Sequence, residues 1–363
     1  MWGEYALNLK SIKLKNLTVF ENLKVDLARG VNIFIGRNGT GKTHLLKAVY
    51  AACEVSQIKS VDVLKKYFKS YGSVALSKNG SDKIIDIFLE SDSKNKEAVY
   101  VSLNFDTSRV IINDSINVSI ATSSDQLEKI KSIDDYESYQ IHFPQNESFS
   151  AVFIPSKDML THSKGLLAMS DKYREFPFDK TLLDIINKAN QWTLKQPPKL
   201  AISILPMLEK MIDGTIVVEN EEFFVQKKDG RKVNFAVEAE GLKKIGLLWQ
   251  LLMNESIVLD SILIWDEPEA NLNPDFIPKL VECILELSRQ GVQIFVSTHN
   301  YLLAKYFDVR RKEEDSVMFH SLYKEDFYDV KVETKEYFDE LEHNDILKSF
   351  DRLLDEVYEL NEE

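Results

Sequence analysis

VNIFIGRNGTGKT, residues 31–43, begins as a strongly apolar run and ends in a glycine-rich loop. An apolar run of this kind marks a strand buried on both faces, not one alternating between core and water. Gly36-Arg37-Asn38-Gly39-Thr40-Gly41-Lys42-Thr43 fits the pattern G-x-x-x-x-G-K-[ST]. Its glycines let backbone N–H groups curl around phosphate oxygens with no Cβ in the way, and the next helix adds its positive N-terminal end. HLLKAVYAACEV (44–55) follows with helical spacing, so strand, loop and helix stand in the order a phosphate-binding loop requires. In that setting Lys42 is predicted to neutralise the β- and γ-phosphates of ATP, and the Thr43 hydroxyl to ligate Mg²⁺.

Two more buried strands lie far downstream, SILIW (261–265) and VQIFVS (292–297). The first ends in Asp266-Glu267. Asp266 is placed to hold the Mg²⁺ shell, and Glu267, one residue beyond, to orient and deprotonate an attacking water. The second ends in Ser297-Thr298-His299, where a histidine can hydrogen-bond a γ-phosphate and report its loss. FIPKLVECILELSRQ (276–290) between them reads as a helix closed by Gly291. Strand and helix in alternation indicate a parallel-type sheet.

The rest of the chain is organised around these pieces. LNLKSIKLKNLTVFENLKVDL (7–27) alternates in short β-rich bursts, and residues 72–120 read as an antiparallel meander broken by Gly, Asn, Asp and Ser. AVFIP (151–155) returns to a buried strand, and 156–214 turns helical, with Leu200, Ile204, Leu208 and Met211 at helical spacing and Gly214 as its stop. TIVVENEEFFVQKKDGRKVNFAV (215–237) reads as a hairpin turning at Asp229-Gly230. LKKIGLLWQLL (242–252) is an amphipathic helix, and Ile346, Phe350, Leu353, Leu354 and Val357 form one stripe near the C-terminus. That stripe is expected to cover its own lobe, as most do.

The fold class is therefore α/β, a P-loop NTPase with a mixed central sheet, an antiparallel β subdomain and a helical lobe. The expected organisation is an N-terminal ATPase lobe (1–155), a helical and hairpin insertion (156–236), a C-terminal ATPase lobe (237–325) and a helical tail (326–363).

Composition narrows the class. The chain has no apolar run of membrane length and no leader-like N-terminus, so a soluble, cytoplasmic protein without a membrane partner is expected. Two cysteines and six histidines show no disulfide or zinc spacing. A net charge of −13 repels phosphate backbones, which argues against tight ATP-independent DNA binding while leaving DNA open as a ligand of a local basic groove.

G-x-N-G-x-G-K-T, then D-E-P-E-A-N-L-N-P, then S-T-H, in that order with a helical lobe between, resembles the ABC-class ATPase heads of the SMC, RecF and OLD (overcoming lysogenisation defect) groups. In particular it resembles the small bacterial AAA-type ATPases carrying E-G-x-x-K-x-x-x-L-W before W-D-E-P-E-A-N-L-N-P, many of them linked to phage defence. The resemblance spans about 9–307. It implies an ABC-type head that hydrolyses ATP with Mg²⁺ and works as an ATP-clamped dimer or higher homo-oligomer. It places a signature loop at Ala239-Glu240-Gly241-Leu242-Lys243, where Gly241 grips phosphate bound to the opposite subunit. Ala239 stands where that family carries serine and Glu240 where it carries glycine, which implies slow turnover or a partner's help. Asn271-Leu272-Asn273-Pro274 matches the loop that crosses the dimer interface. Ser156-Lys157-Asp158 follows AVFIP where many relatives place a glutamine, and Gln145 precedes that strand, so neither takes that role.

The insertion before the signature, ~80 residues, has no heptads, so no coiled-coil arm is expected. The segment after His299 carries no acidic nuclease constellation. Three readings follow: an ATPase that controls a separately encoded effector such as a nuclease in anti-phage defence, a RecF-like repair ATPase acting on DNA, and an ATP-dependent scaffold that does not hydrolyse.

Overall fold

The computed structural model describes residues 8–58, 83–91, 98–105, 150–173, 177–325 and 329–362. Of the predicted meander over 72–120, residues 72–82, 92–97 and 106–120 lie outside the described residues, as does Gln145.

The central sheet is formed by β3 (Val31–Gly36), β6 (Ala151–Ile154), β10 (Ile262–Asp266), β11 (Gln293–Ser297), β12 (Val317–Lys324) and β13 (Val330–Lys335), in the order β13-β12-β3-β11-β10-β6. The first five named run parallel and β13 is antiparallel at one edge. β3, β6, β10 and β11 are buried at every position, as their apolar runs require. Side chains along each strand alternate between two cores. Val31, Ile33, Ile35, Leu263, Trp265, Ile294 and Val296 point into one, while Phe34, Ile262, Ile264 and Phe295 point into the other.

The second core is closed by α1 (Lys42–Ile58) and by an antiparallel sheet of β1 (Leu9–Leu17), β2 (Phe20–Asp26), β4 (Lys83–Ser91) and β5 (Ala98–Phe105), ordered β2-β1-β4-β5. Buried Gln293 joins the sheets: its amide accepts from Leu9 N at 2.8 Å and donates to Leu9 O and Ala28 O, each at 2.8 Å. The first core is closed by the helical lobe, α2 (Leu166–Lys172), α3 (Lys180–Ala189), α4 (Leu205–Ile212) and α5 (Glu240–Met253), and by α6 (Ile277–Arg289) and α7 (Tyr301–Arg310).

The structure departs from the sequence reading in four places. Leu200 lies in a 3₁₀ turn and α4 begins only at Leu205, because Pro206 lacks the N–H that an earlier helical turn would need. The left-handed residue ending α4 is Asp213 (φ +52°), whereas Gly214 opens a strand so close to its neighbour that a Cβ would lie 2.2 Å from Gln226 O. The expected hairpin is a three-stranded sheet, β7 (Gly214–Glu219), β8 (Glu222–Lys227) and β9 (Lys232–Asn234), with Asn220 and Glu221 both left-handed in the first turn. Finally, the C-terminal segment contributes β13 before its helix α8 (Asp345–Glu362). Ile346 and Leu347 pack against the core, but every residue from 351 to 360 is exposed, so the stripe covers its own lobe only at its start.

Candidate functional site

β3 delivers the loop 36–43 to the edge of the central sheet, and α1 carries it away. Gly36 adopts φ +142° with its Cα against β12; a Cβ there would meet Leu322 O at 2.2 Å and Thr40 Oγ1 at 3.0 Å. No other residue type fits that combination. Thr40 Oγ1 donates to Arg37 O at 2.9 Å, which ties the loop to itself, while Arg37, Asn38 and Gly39 face solvent. Lys42 is buried and its ammonium donates to Gly36 O (2.7 Å) and Arg37 O (3.0 Å) across the mouth of the loop. Burial pushes its pKa down to about 8 against the opposing pull of Glu267 and Asp266.

Parallel pairing brings the ends of β10 and β11 beside this loop, Asp266 standing opposite Ser297. Thr43 Oγ1 donates to Asp266 Oδ2 at 3.0 Å, and Ser297 Oγ donates to Asp266 Oδ1. The two predicted metal-binding oxygens are thus adjacent. Glu267 is left-handed (φ +49°), a conformation non-glycine residues adopt at a cost of order 1–3 kcal/mol and one that concentrates at functional sites. Its amide donates to Ser297 O (3.1 Å), and its side chain meets His299, Nε2 to Oε1 at 3.4 Å. Burial first, and Lys42 second, lower the His299 pKa, so its ring is neutral near pH 7. Lys42, Thr43, Asp266, Glu267 and His299, drawn from three strand ends, form one cluster.

The donor set suits a nucleotide with Mg²⁺. Oxygens from a hydroxyl and a carboxylate are the ligands a hard cation takes beside phosphate and water. The loop offers a concave run of N–H groups with a lysine at its rim.

Gly241 is placed differently. It lies in the first turn of α5, and a Cβ would meet Asn271 O at 2.5 Å and Leu272 Cα at 2.7 Å. Its bare face is filled by the chain's own loop after β10. Ala239 is the N-cap of α5 and supplies no side-chain bond to the first-turn N–H groups. A cleft of about 360 Å³ runs beside this helix start, between Ser156–Asp158, Glu240, Lys244 and Asn271.

Two groups were missed from sequence. Lys244 is buried and donates to Glu267 O at 2.7 Å, bracing the strained residue. Its spacing to Leu248 and Leu251, both buried, was a legible signal that it lies on the helix's inner face. Glu269 is also buried and accepts from Thr298 Oγ1 at 2.5 Å, whose oxygen accepts from Asn300 N at 2.9 Å. Burial raises Glu269 to about 7, and its Oε2 has no hydrogen-bond partner among the described residues.

The chain is similar to several known proteins. A 90-residue segment is 38% identical to the DNA replication and repair protein RecF of Clostridium botulinum (strain Eklund 17B / Type B), covering 24% of this chain and 25% of that protein. Over a 44-residue segment it is 46% identical to RecF of Lactococcus lactis subsp. lactis (strain IL1403), 12% of each chain. It thus spans at most about a quarter of the curated relatives it matches. Among solved structures, the SMC head domain from Thermotoga maritima is 14% identical, with 91% of this chain and 99% of that chain covered and a TM-score of 0.46. A Smc head domain from Pyrococcus furiosus, bound to the C-terminal domain of ScpA, is 12% identical, with 97% and 100% covered and a TM-score of 0.49. Among the described residues no helix is long and apolar enough to cross a membrane. Residues 31–305, the span that carries the glycine loop, the two strand-end carboxylates and His299, match one family over most of the chain, and the protein belongs to that family, described as "AAA domain, putative AbiEii toxin, Type IV TA system".

Proposed function

We propose that this P-loop ATPase binds ATP with Mg²⁺, hydrolyses it to ADP and phosphate, and closes head to head with a second copy to control a separately encoded effector. The observation carrying the reading is the convergence of Lys42, Thr43, Asp266, Glu267 and His299 at the ends of adjacent strands. Lys42 exchanges its two carbonyl partners for phosphate oxygens. Thr43 and Asp266 would hold Mg²⁺, with the Ser297 hydroxyl aiming the carboxylate. Mg²⁺, when bound, neutralises phosphate charge and helps the leaving group depart. Glu267, braced through its backbone by Lys244, orients a water and takes its proton. His299 follows the state of that carboxylate and of the phosphate next to it.

The trans contact in the dimer falls to the N-terminal turn of α5, where free N–H groups carry positive partial charge. Gly241 serves it by letting the loop at Asn271 pack close. A nuclease as effector, in anti-phage defence, is inferred from the likeness of the D-E-P-E-A-N-L-N-P phrase to small bacterial ATPases. The partial match to RecF favours a second reading, a repair ATPase acting on DNA.

Phosphate release and ATP binding by wild type, Lys42→Ala and Glu267→Gln test the chemistry; undiminished hydrolysis in Glu267→Gln would overturn the assignment of the base. Copurification with genomic neighbours in ATP, ADP and no nucleotide separates the two biological readings. An effector released or held by nucleotide supports the first, and salt-dependent DNA binding by a lone homodimer supports the second.

A further inference from the structure

Helix α8 is rooted in the nucleotide site at one end and bare at the other. Arg37, inside the glycine loop, grips its first residue Asp345 with two contacts, Nε to Oδ2 at 2.8 Å and Nη2 to Oδ1 at 3.1 Å. Phe350 stacks on Tyr301, ring centroids 4.1 Å apart and planes 8° apart, and Tyr301 lies two residues beyond His299. One turn later the helix leaves the body. Leu353 (53% exposed), Leu354 (38%), Tyr358 (68%) and Leu360 (74%) then share one side of it.

The charges beside that stripe say what covers it. Residues 351–360 hold four acids, Asp351, Asp355, Glu356 and Glu359, against one base, Arg352. At 3.6 residues per turn Glu356 borders one edge of the stripe and Asp351 the other. A second copy paired helix to helix would set acid rims against acid rims. It would also bury only about 240 Å² per helix, from ~15 Å of length and half a ~10 Å cylinder, where a stable interface takes about 800 Å² per partner. A groove that encloses the helix gains more area and can offer cations to both rims.

We propose that residues 351–360 are a docking helix for a partner protein presenting an apolar groove rimmed by lysine and arginine, and that the contacts of Asp345 and Phe350 tie docking to nucleotide state. This deepens the effector reading and rests on it. Nucleotide closing on the glycine loop competes with Asp345 for Arg37, so the root of α8 is the place where occupancy of the site alters the pose of the helix.

The test uses the full chain and a fluorescein-labelled amphipathic helical peptide with a leucine face flanked by lysines, beside the same peptide flanked by glutamates. Anisotropy is read with Mg²⁺–ATP, with ADP and without nucleotide, and ATP affinity is measured on the same samples. The lysine peptide should bind wild type at least tenfold more tightly than it binds L353D/L354D, with ATP affinity unchanged in that variant. D351K/E356K should transfer preference to the glutamate peptide. Affinity should change at least threefold between nucleotide states, and Phe350→Ala should erase that change. Equal binding of both peptides, or no loss in L353D/L354D, overturns the docking assignment. A wild-type oligomer that L353D/L354D dissociates also overturns it, because a second copy then covers the stripe. Binding indifferent to nucleotide overturns the coupling, whereas loss of ATP binding by wild type itself strikes the ATPase reading and leaves the peptide result standing.

Discussion

The glycine loop at 36–43 and the turn at 239–241 both place glycine at the start of a helix, but the two glycines face different neighbours. Gly36, Gly39 and Gly41 all have positive φ and shape a concavity that opens outward. Gly241 has ordinary helical geometry, and its missing Cβ leaves room for the backbone of Asn271 and Leu272. The glycine-loop set bends the backbone toward a ligand while Gly36 also packs on Leu322 O and Gly41 on Phe20, whereas Gly241 makes room only for the chain itself. The signature turn is therefore also a joint between α5 and the loop after β10, and Lys244, reaching from α5 to Glu267 O, is the second pin of that joint. A change at the joint is expected to reach the backbone of Glu267, the residue proposed to activate water.

Breaking the chemistry on the glycine-loop side should have the largest effect. Glu267→Gln should lower kcat by roughly 10²–10⁴ with ATP affinity kept, since only proton acceptance is lost. Lys42→Ala should weaken ATP binding by about 10–100-fold, the worth of one or two hydrogen bonds from a charged donor, as calorimetry would read.

The contrast sharpens with two alanine substitutions. Gly241→Ala should cost about 1–3 kcal/mol of stability by overpacking the joint, and should lower kcat as well. Gly39→Ala meets nothing within 4 Å and should cost only about 1–2 kcal/mol for its left-handed backbone, with turnover changed mainly through ATP affinity. Equal loss of kcat in both would erase the distinction.

A pH series probes two of the buried ionisable groups. With Lys42 near 8 in the free site, ATP binding above that pH must take up a proton, so affinity should fall by roughly tenfold from pH 7 to pH 9. The smallest effect belongs to Glu269. Its folded pKa of about 7 lies above the unfolded carboxyl value, so the folded state binds more protons between those limits. Stability should therefore fall as pH rises toward 7, and Glu269→Gln should flatten that slope in thermal melts.

The sequence by itself determined the local chemistry. Gly36 to Thr43, Asp266-Glu267 and Ser297-Thr298-His299 are readable because each is a short stretch whose residue types constrain their own backbone, at the end of an apolar run that must be buried. The strand order β13-β12-β3-β11-β10-β6 was not readable in that way, nor was the packing of Gly241 on Asn271, the bond from Lys244 to Glu267 O, the bond from Thr298 to Glu269 or the hold of Arg37 on Asp345. Nor could periodicity divide the C-terminal stripe into a rooted part and a bare part, because Ile346 and Leu353 are alike in hydropathy and spacing. These were decided by contacts between residues tens to hundreds of positions apart, where closure of the whole fold, not the preference of any segment, sets which surfaces meet.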